Sequence, residues 1–143
     1  KYVALKNLIL SSQTDIAQSL AELYAETSML EKVEDFYQKA LLIEPENTNT
    51  MDNYARFLTH NNRNLDKVTE LMDKAMNLAK NKLDYYSYLN TKGWGYYKQK
   101  KYRESLEVIQ TAWDSVPYPL FEIRDHLAEV KKAVQDQRGI PLY

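Results

Sequence analysis

The sequence predicts an all-α protein, a superhelical stack of antiparallel helix pairs. Glycine (3) and proline (4) are scarce in 143 residues, whereas a sheet protein of this length needs many more turn residues. Apolar residues recur at helical spacing over long stretches of the chain. Three segments also align with one another, and each contains two helix-length apolar stripes separated by a short polar turn. A repeated helical hairpin explains all three observations.

The composition is that of an ordinary globular domain, with 44% hydrophobic and 27% charged residues. The formal net charge of −1 gives no general attraction to nucleic acid. Absence of cysteine excludes disulfides, thiolate metal sites and cysteine nucleophiles. No apolar run reaches the roughly 20 residues that span a bilayer, so we expect no membrane insertion.

The chain begins at Lys1 and shows no signal-peptide pattern, which indicates a fragment, a processed form or a trimmed chain. A targeting segment is therefore not expected within it. The compartment stays open between the cytoplasm and a bacterial periplasm or cell envelope.

The three repeated segments span residues 16–45, 52–80 and 88–117. Small residues recur where paired helices must approach closely. On the first helix of each pair, with spacings of 34 and 38 residues, they are Ala21, Ala55 and Gly93. On the second helix, with spacings of 35 and 37 residues, they are Ala40, Ala75 and Ala112. Pro45 and Pro117 end two of the units, where a helix must stop.

This period and pattern resemble the tetratricopeptide repeat (TPR) family. The third segment carries the best match, in Gly93-Trp94-Gly95-Tyr96-Tyr97-Lys98-Gln99 followed by Tyr102, Ala112 and Pro117. The stretch from Asn53 to Leu58, followed by Asn64-Leu65-Asp66, resembles a variant common in bacterial members. The first helices depart from the family pattern, because a tryptophan is often found at the positions of Ala17, Met51 and Leu89. The resemblance implies a TPR-like solenoid of about three repeats with flanking helices.

We expect one domain over residues 1–143. Its predicted parts are a flanking helix or remnant of an earlier repeat at 1–11, repeats at 14–47, 48–83 and 86–119, and a capping helix at 120–138. The last helix is predicted from the apolar spacing of Leu120, Ile123, Leu127, Val130 and Val134, and Gly139 and Pro141 end it.

The tyrosines, 12 in number, are expected to fill space between helices while their hydroxyls reach water or a backbone group. We expect this structural role for Tyr24, Tyr37, Tyr54 and Tyr96. Trp113, on a second helix, is expected in the core.

The sequence predicts no enzyme and no cofactor. His60 and His126 are the only histidines and fall in separate predicted helices, so neither suggests a metal site or a catalytic triad. Gly93 and Gly95 do not form a nucleotide loop, because Lys98 stands where the third glycine would be. The acidic cluster of Glu31, Glu34 and Asp35 is interpreted as solvated surface, as is the basic one of Lys98, Lys100, Lys101 and Arg103.

The TPR resemblance implies a concave surface, lined by the first helix of each pair, that commonly holds an extended peptide or a helix. By helical position, the predicted groove residues are Gln18, Glu22, Asp52, Arg56, Asn90, Trp94 and Tyr97, with Asn53 beside them. Trp94 and Tyr97 are the expected anchors, although Trp94 could instead be buried against the next helix pair. Gln18 and Glu22 stand where chaperone-tail binders carry a lysine and an asparagine, which disfavours that ligand.

The predicted function is a protein–protein interaction module or scaffold with an unidentified protein or peptide partner. Two alternatives stay open: a self-association domain, and a helical regulatory domain of a larger parent protein. Fold resemblance does not decide among them, because function depends on sites.

Overall fold

The computed structural model describes residues 16, 19–21 and 29–139, and this part of the chain is helical, with no strand. Residues 16 and 19–21 have helical backbone. Six helices follow: α1 (Leu30–Ile43), α2 (Thr48–His60), α3 (Leu65–Leu78), α4 (Lys82–Lys98), α5 (Tyr102–Ser115) and α6 (Phe121–Arg138). The predicted all-α class is confirmed. The flanking helix predicted at 1–11 lies outside the described residues.

Asparagine side chains cap the beginnings of α2 and α4. The Oδ1 atom of Asn47 accepts a hydrogen bond from the Thr50 amide at 3.0 Å, and that of Asn81 accepts one from the Asp84 amide at 2.8 Å. Each cap satisfies one of the unpaired amides at a helix start. The two helices that begin this way lie next to each other in the fold.

The C-terminal ends of α2 and α4 share one backbone geometry, although the turn after α2 continues through a second left-handed residue, Asn64 (φ 42°). Asn62 (φ 52°) and Lys100 (φ 64°) both adopt the left-handed conformation. The next residue in each turn donates an amide hydrogen bond back into the helix, Arg63 to Leu58 at 3.0 Å and Lys101 to Tyr96 at 2.9 Å. This is the Schellman ending, which usually has glycine at the left-handed position.

The helices form two layers. Each helix from α1 to α6 packs against the next one, and in addition α2 packs on α4 and α4 on α6. Among these six helices, α1, α3 and α5 make no contact with one another. We therefore call α2, α4 and α6 the inner helices and α1, α3 and α5 the outer helices.

Glycines let α4 approach both of its outer neighbours closely. A Cβ atom at Gly93 would collide with the side chain of Ile109 on α5, and one at Gly95 would lie 2.7 Å from Cγ1 of Val68 on α3. Ala55, Ala75 and Ala112 are likewise fully buried at 0% exposure. The small residues identified in the sequence thus lie where helices meet, except Ala40, which is half-buried.

Tyr37 and Tyr54 fill space between helices as predicted, although the Tyr54 hydroxyl accepts a hydrogen bond from the Gln38 side chain, whereas the prediction named water or a backbone group as its partner. Tyr37 and Tyr54 are buried at 1% and 0% exposure, and their rings stack with centroids 5.0 Å apart. Tyr96 is only half-buried, below the Lys101 ammonium at 5.9 Å. Tyr24 lies outside the described residues. Trp113 is half-buried and packs against the edge of the core between α4, α5 and α6.

The interpretation of the acidic cluster was wrong for Glu34. Its side chain is buried at 7% exposure. Arg63 donates to its Oε1 at 2.5 Å and Asn64 to its Oε2 at 3.1 Å. Glu34 therefore ties α1 to the turn before α3, because a buried carboxylate needs such partners.

Candidate functional site

A groove of about 800 Å³ lies on the surface of the inner helices. Side chains from α2, α4 and the first half of α6 form most of it, with Ala21 and Tyr37 at one end. The polar, charged and aromatic residues that line it from the inner helices include Asn53, Arg56, His60, Thr91, Trp94, Lys98, Glu122 and His126. Thr91 is buried at 3% exposure beneath the groove, whereas the other side chains of this set are at least partly exposed.

A polar network crosses the groove. The Nε of Arg56 donates to Asp52 at 2.8 Å, and its Nη1 donates to Glu122 at 2.5 Å. Thr91 donates through Oγ1 to the other carboxylate oxygen of Asp52 at 2.9 Å. These contacts connect all three inner helices, with Arg56 at the centre. Asn53, one position after Asp52, lines the same groove.

An aromatic stack forms the other part of the groove. The Trp94 ring lies nearly parallel to His126, with centroids 3.9 Å apart and an interplanar angle of 8°. It is also nearly parallel to Tyr97, at 4.4 Å and 14°. Two rings this close to one indole would overlap if they shared a face, so they occupy opposite faces. Only the edge of Trp94 is left for a ligand.

His126 is held by a buried amide. Its Nδ1 lies 3.1 Å from Oδ1 of Asn90, whose side chain is 1% exposed. Burial lowers the pKa of His126 below its ordinary value of 6.5, and Arg56 and Lys98 act in the same direction while Glu122 opposes them. The ring is therefore favoured in its neutral form at pH 7, with the Nδ1 proton donated to Asn90.

A second cavity of about 500 Å³ adjoins the stack on the far side of Tyr97. The Tyr97 and Tyr102 rings line it, together with residues of the second half of α6 that include Glu129 and Asp136. Burial raises the pKa of Tyr97, and the nearby charge of Glu129 adds to the effect. Tyr97 thus lies behind the groove, between Trp94 and this cavity.

The structure separates the predicted groove residues. Tyr97 does not line the groove as predicted, because it lies behind Trp94 and borders the second cavity. Asn53, Arg56 and Trp94 line the groove, and Asp52 supports Arg56 from the side. Asn90 does not face the groove as predicted, because it is buried beneath His126. Gln18 and Glu22 lie outside the described residues.

Sequence reasoning missed the contribution of α6. Glu122 and His126 are one helical turn apart and both reach the groove, whereas the sequence suggested only a closing helix there. Thr91 and Lys98 were also missed as lining residues. The available signal was the spacing from Thr91 to Trp94 to Lys98 and from Glu122 to His126, which places each set on one helix face.

Within residues 16, 19–21 and 29–139 no group of three or more His, Cys, Asp or Glu side chains is placed to hold a metal ion. No helix in that same part of the chain has both the length and the apolar character needed to cross a membrane.

Comparison with known structures identifies the architecture. The NMR structure of the first TPR domain of the human RPAP3 protein matches with a TM-score of 0.67 over 89% of this chain and 96% of that chain. The chain has a TPR-like fold. Sequence identity is 15%, so the likeness concerns the fold alone.

No protein-family model matches the sequence, and no curated protein matches it either. The suggested resemblance to bacterial members is not supported by these comparisons.

Proposed function

We propose that the chain is a non-catalytic protein-interaction module that holds a short segment of another protein in the groove of its inner helices. The observation that carries this proposal is the convergence of Asn53, Arg56, Lys98 and the edge of Trp94 on one open groove. Ligand sites typically combine apolar walls with a few placed polar groups in this way.

The groove has a length suited to a short extended peptide. Packed helices have axes about 8–10 Å apart, so three inner helices cover about 20 Å. An extended chain rises about 3.3 Å per residue, which gives about six residues across the groove. We therefore expect a core recognition segment of about this length.

Two groove side chains are available for polar contacts. In the described part of the chain, the Asn53 amide forms no hydrogen bond, and Lys98 forms no ion pair, its Nζ lying 5.7 Å from the centroid of the Trp94 ring. An asparagine amide can donate to and accept from a peptide backbone at once. Asn53 is therefore our principal candidate for fixing a bound segment.

Trp94 has a different role from a freely inserted aromatic anchor. His126 and Tyr97 cover its two faces, so a peptide side chain can pack only against its edge and against the aliphatic stem of Lys98. Trp94 contributes a rigid wall, which limits the conformational entropy lost on binding.

The proposal can be tested by panning a library of random dodecapeptides on phage against the immobilised chain. Enriched peptides are synthesised with a fluorescent label and titrated against the parent chain and Asn53→Ala. Loss of one hydrogen bond is expected to weaken binding about 3- to 10-fold without changing the melting temperature. Thr111→Ala, on outer helix α5, serves as the matched control and should bind normally.

Two results would contradict the proposal. One is the absence of any enriched peptide. The other is a set of peptides whose affinity is unchanged by Asn53→Ala but reduced by changes on the outer helices. Light scattering on the same samples reports whether the chain self-associates, and a dimer that buries the groove would favour the self-association alternative.

A further inference from the structure

The ion pair between Arg56 and Glu122 has an unusual position. It joins α2 to α6 across 66 positions of sequence, although these two helices do not pack against each other. Both side chains remain accessible, with exposures of 37% and 46%. The pair therefore spans the open groove and does not belong to a packed interface between neighbouring helices.

Arg56 is oriented independently of Glu122. Asp52 accepts from its Nε, and the Asp52 side chain is itself only 15% exposed. Thr91 holds the second oxygen of Asp52 at 2.9 Å. Because this support comes from α2 and α4, the guanidinium would keep its direction into the groove if Glu122 turned away.

Glu122 has no comparable support. It is the second residue of α6, and within the described residues its carboxylate accepts a hydrogen bond only from Arg56. Ion pairs between exposed side chains of this kind contribute little net stability. An incoming carboxylate could therefore replace Glu122 at small cost.

Among the described residues, Glu122 is the one carboxylate that lines the groove. The other fully charged side chains that line it there are Arg56 and Lys98, apart from the histidines His60 and His126. If Glu122 swings out to solvent, two cations remain in the groove, and although Asp52 still accepts from the Nε of Arg56, the Nη1 of Arg56 loses its partner. A segment with negative charge is the complementary ligand.

We propose that the groove binds a protein segment carrying an aspartate or glutamate side chain, which replaces Glu122 on Arg56. In the free chain, Glu122 occupies the place on Arg56 that the carboxylate of the ligand would take. It therefore lowers the affinity for every segment that cannot displace it. This inference rests on the proposed function and specifies the chemistry of the partner.

The test pans the same dodecapeptide library in parallel against the parent chain, Glu122→Gln and Arg56→Gln. The peptides are fused to the phage through their C-termini, so only side-chain carboxylates are available. The matched controls are Glu107→Gln and Arg103→Gln on the exposed surface of α5. Circular dichroism and thermal melting confirm that every variant is folded.

We expect acidic residues to be enriched over the input library on the parent chain, and enriched further on Glu122→Gln. Selected peptides should bind Glu122→Gln about two- to fivefold more tightly, as expected when an exposed internal ion pair no longer competes. Arg56→Gln should select no acidic excess, and replacing the peptide's acid by its amide should weaken binding to the parent chain but not to Arg56→Gln.

Two outcomes overturn the inference and can be told apart. If peptides are selected whose affinity depends on Asn53 but they show no acidic excess, or the same excess on Arg56→Gln, the groove binds peptides and the charge assignment is wrong. If no peptide is enriched on any variant, the proposed function fails as well.

Discussion

Helix α4 presents two contrasting surfaces within a few residues. Gly93 and Gly95 face the outer helices, where the space is so tight that an added Cβ would meet Ile109 or Val68. Between them, Trp94 points into the groove and stacks on α6. The glycine surface is buried and has no space for a larger side chain. The groove surface is partly exposed and consists of aromatic rings and polar groups.

This difference separates what holds the fold from what could serve a ligand. The outer contacts depend on size, so the smallest residues occur there. The groove surface depends on residue type, since its contacts are stacked rings and ion pairs. Substitutions on the two surfaces of α4 should therefore affect different measurements.

The largest effect is expected where small, fully buried residues let inner and outer helices pack closely. Ala112→Leu and Ala55→Leu should each lower the free energy of unfolding by about 1–3 kcal/mol, because both positions are fully buried. Denaturant unfolding measures the change. If both variants unfold like the parent chain, these positions do not lie at helix contacts.

Trp94→Ala, on the groove surface, should change both peptide binding and stability, which sharpens the comparison. Binding of a selected peptide should weaken by about thirtyfold, or about 2 kcal/mol, as for a typical aromatic at an interface. Loss of the central ring of the stack should also destabilise the chain by about 1 kcal/mol or more. A variant that melts like the parent would show that the stack with His126 does not hold α6.

Acidification should loosen the same stack. Because burial lowers the pKa of His126 in the folded chain, the unfolded chain binds more protons near pH 6.5, and the stabilisation present above that pH is lost as the pH falls through the lower folded value. We expect the melting temperature to fall from pH 7.5 to pH 5. His126→Phe should reduce this fall, whereas His60→Gln, at an exposed helix end, should leave it unchanged.

The smallest expected effect concerns the turns that connect inner to outer helices. Lys100 holds a left-handed conformation that glycine adopts without strain, and Asn62 occupies the equivalent position. Lys100→Gly should raise stability by about 0.5–1 kcal/mol. Asn62→Gly should gain less, because asparagine tolerates this conformation. Equal gains would show that side-chain strain does not differ between the turns.

The close contacts between inner and outer helices could be predicted from the sequence far better than the groove could. Recurring small residues at fixed spacing indicated where helices meet, since a packing contact restricts volume at each repeat. Arg56 and Trp94 could be placed by helical position. The pairing of Arg56 with Glu122 could not, because it joins helices that are far apart in sequence and do not pack against each other. Burial of Asn90 was also unpredictable, since it depends on His126 from another helix.

The central claim is that the inner helices form the binding surface. Its most direct test is a titration of the ¹⁵N-labelled chain with a selected peptide, followed by amide and indole chemical shifts. We predict changes at Asn53, Lys98, His126 and the Trp94 indole, with α3 and α5 unaffected outside their contacts with α4. Changes concentrated on α3 and α5, or at the exposed Leu42 and Ile43 of α1, would contradict the account.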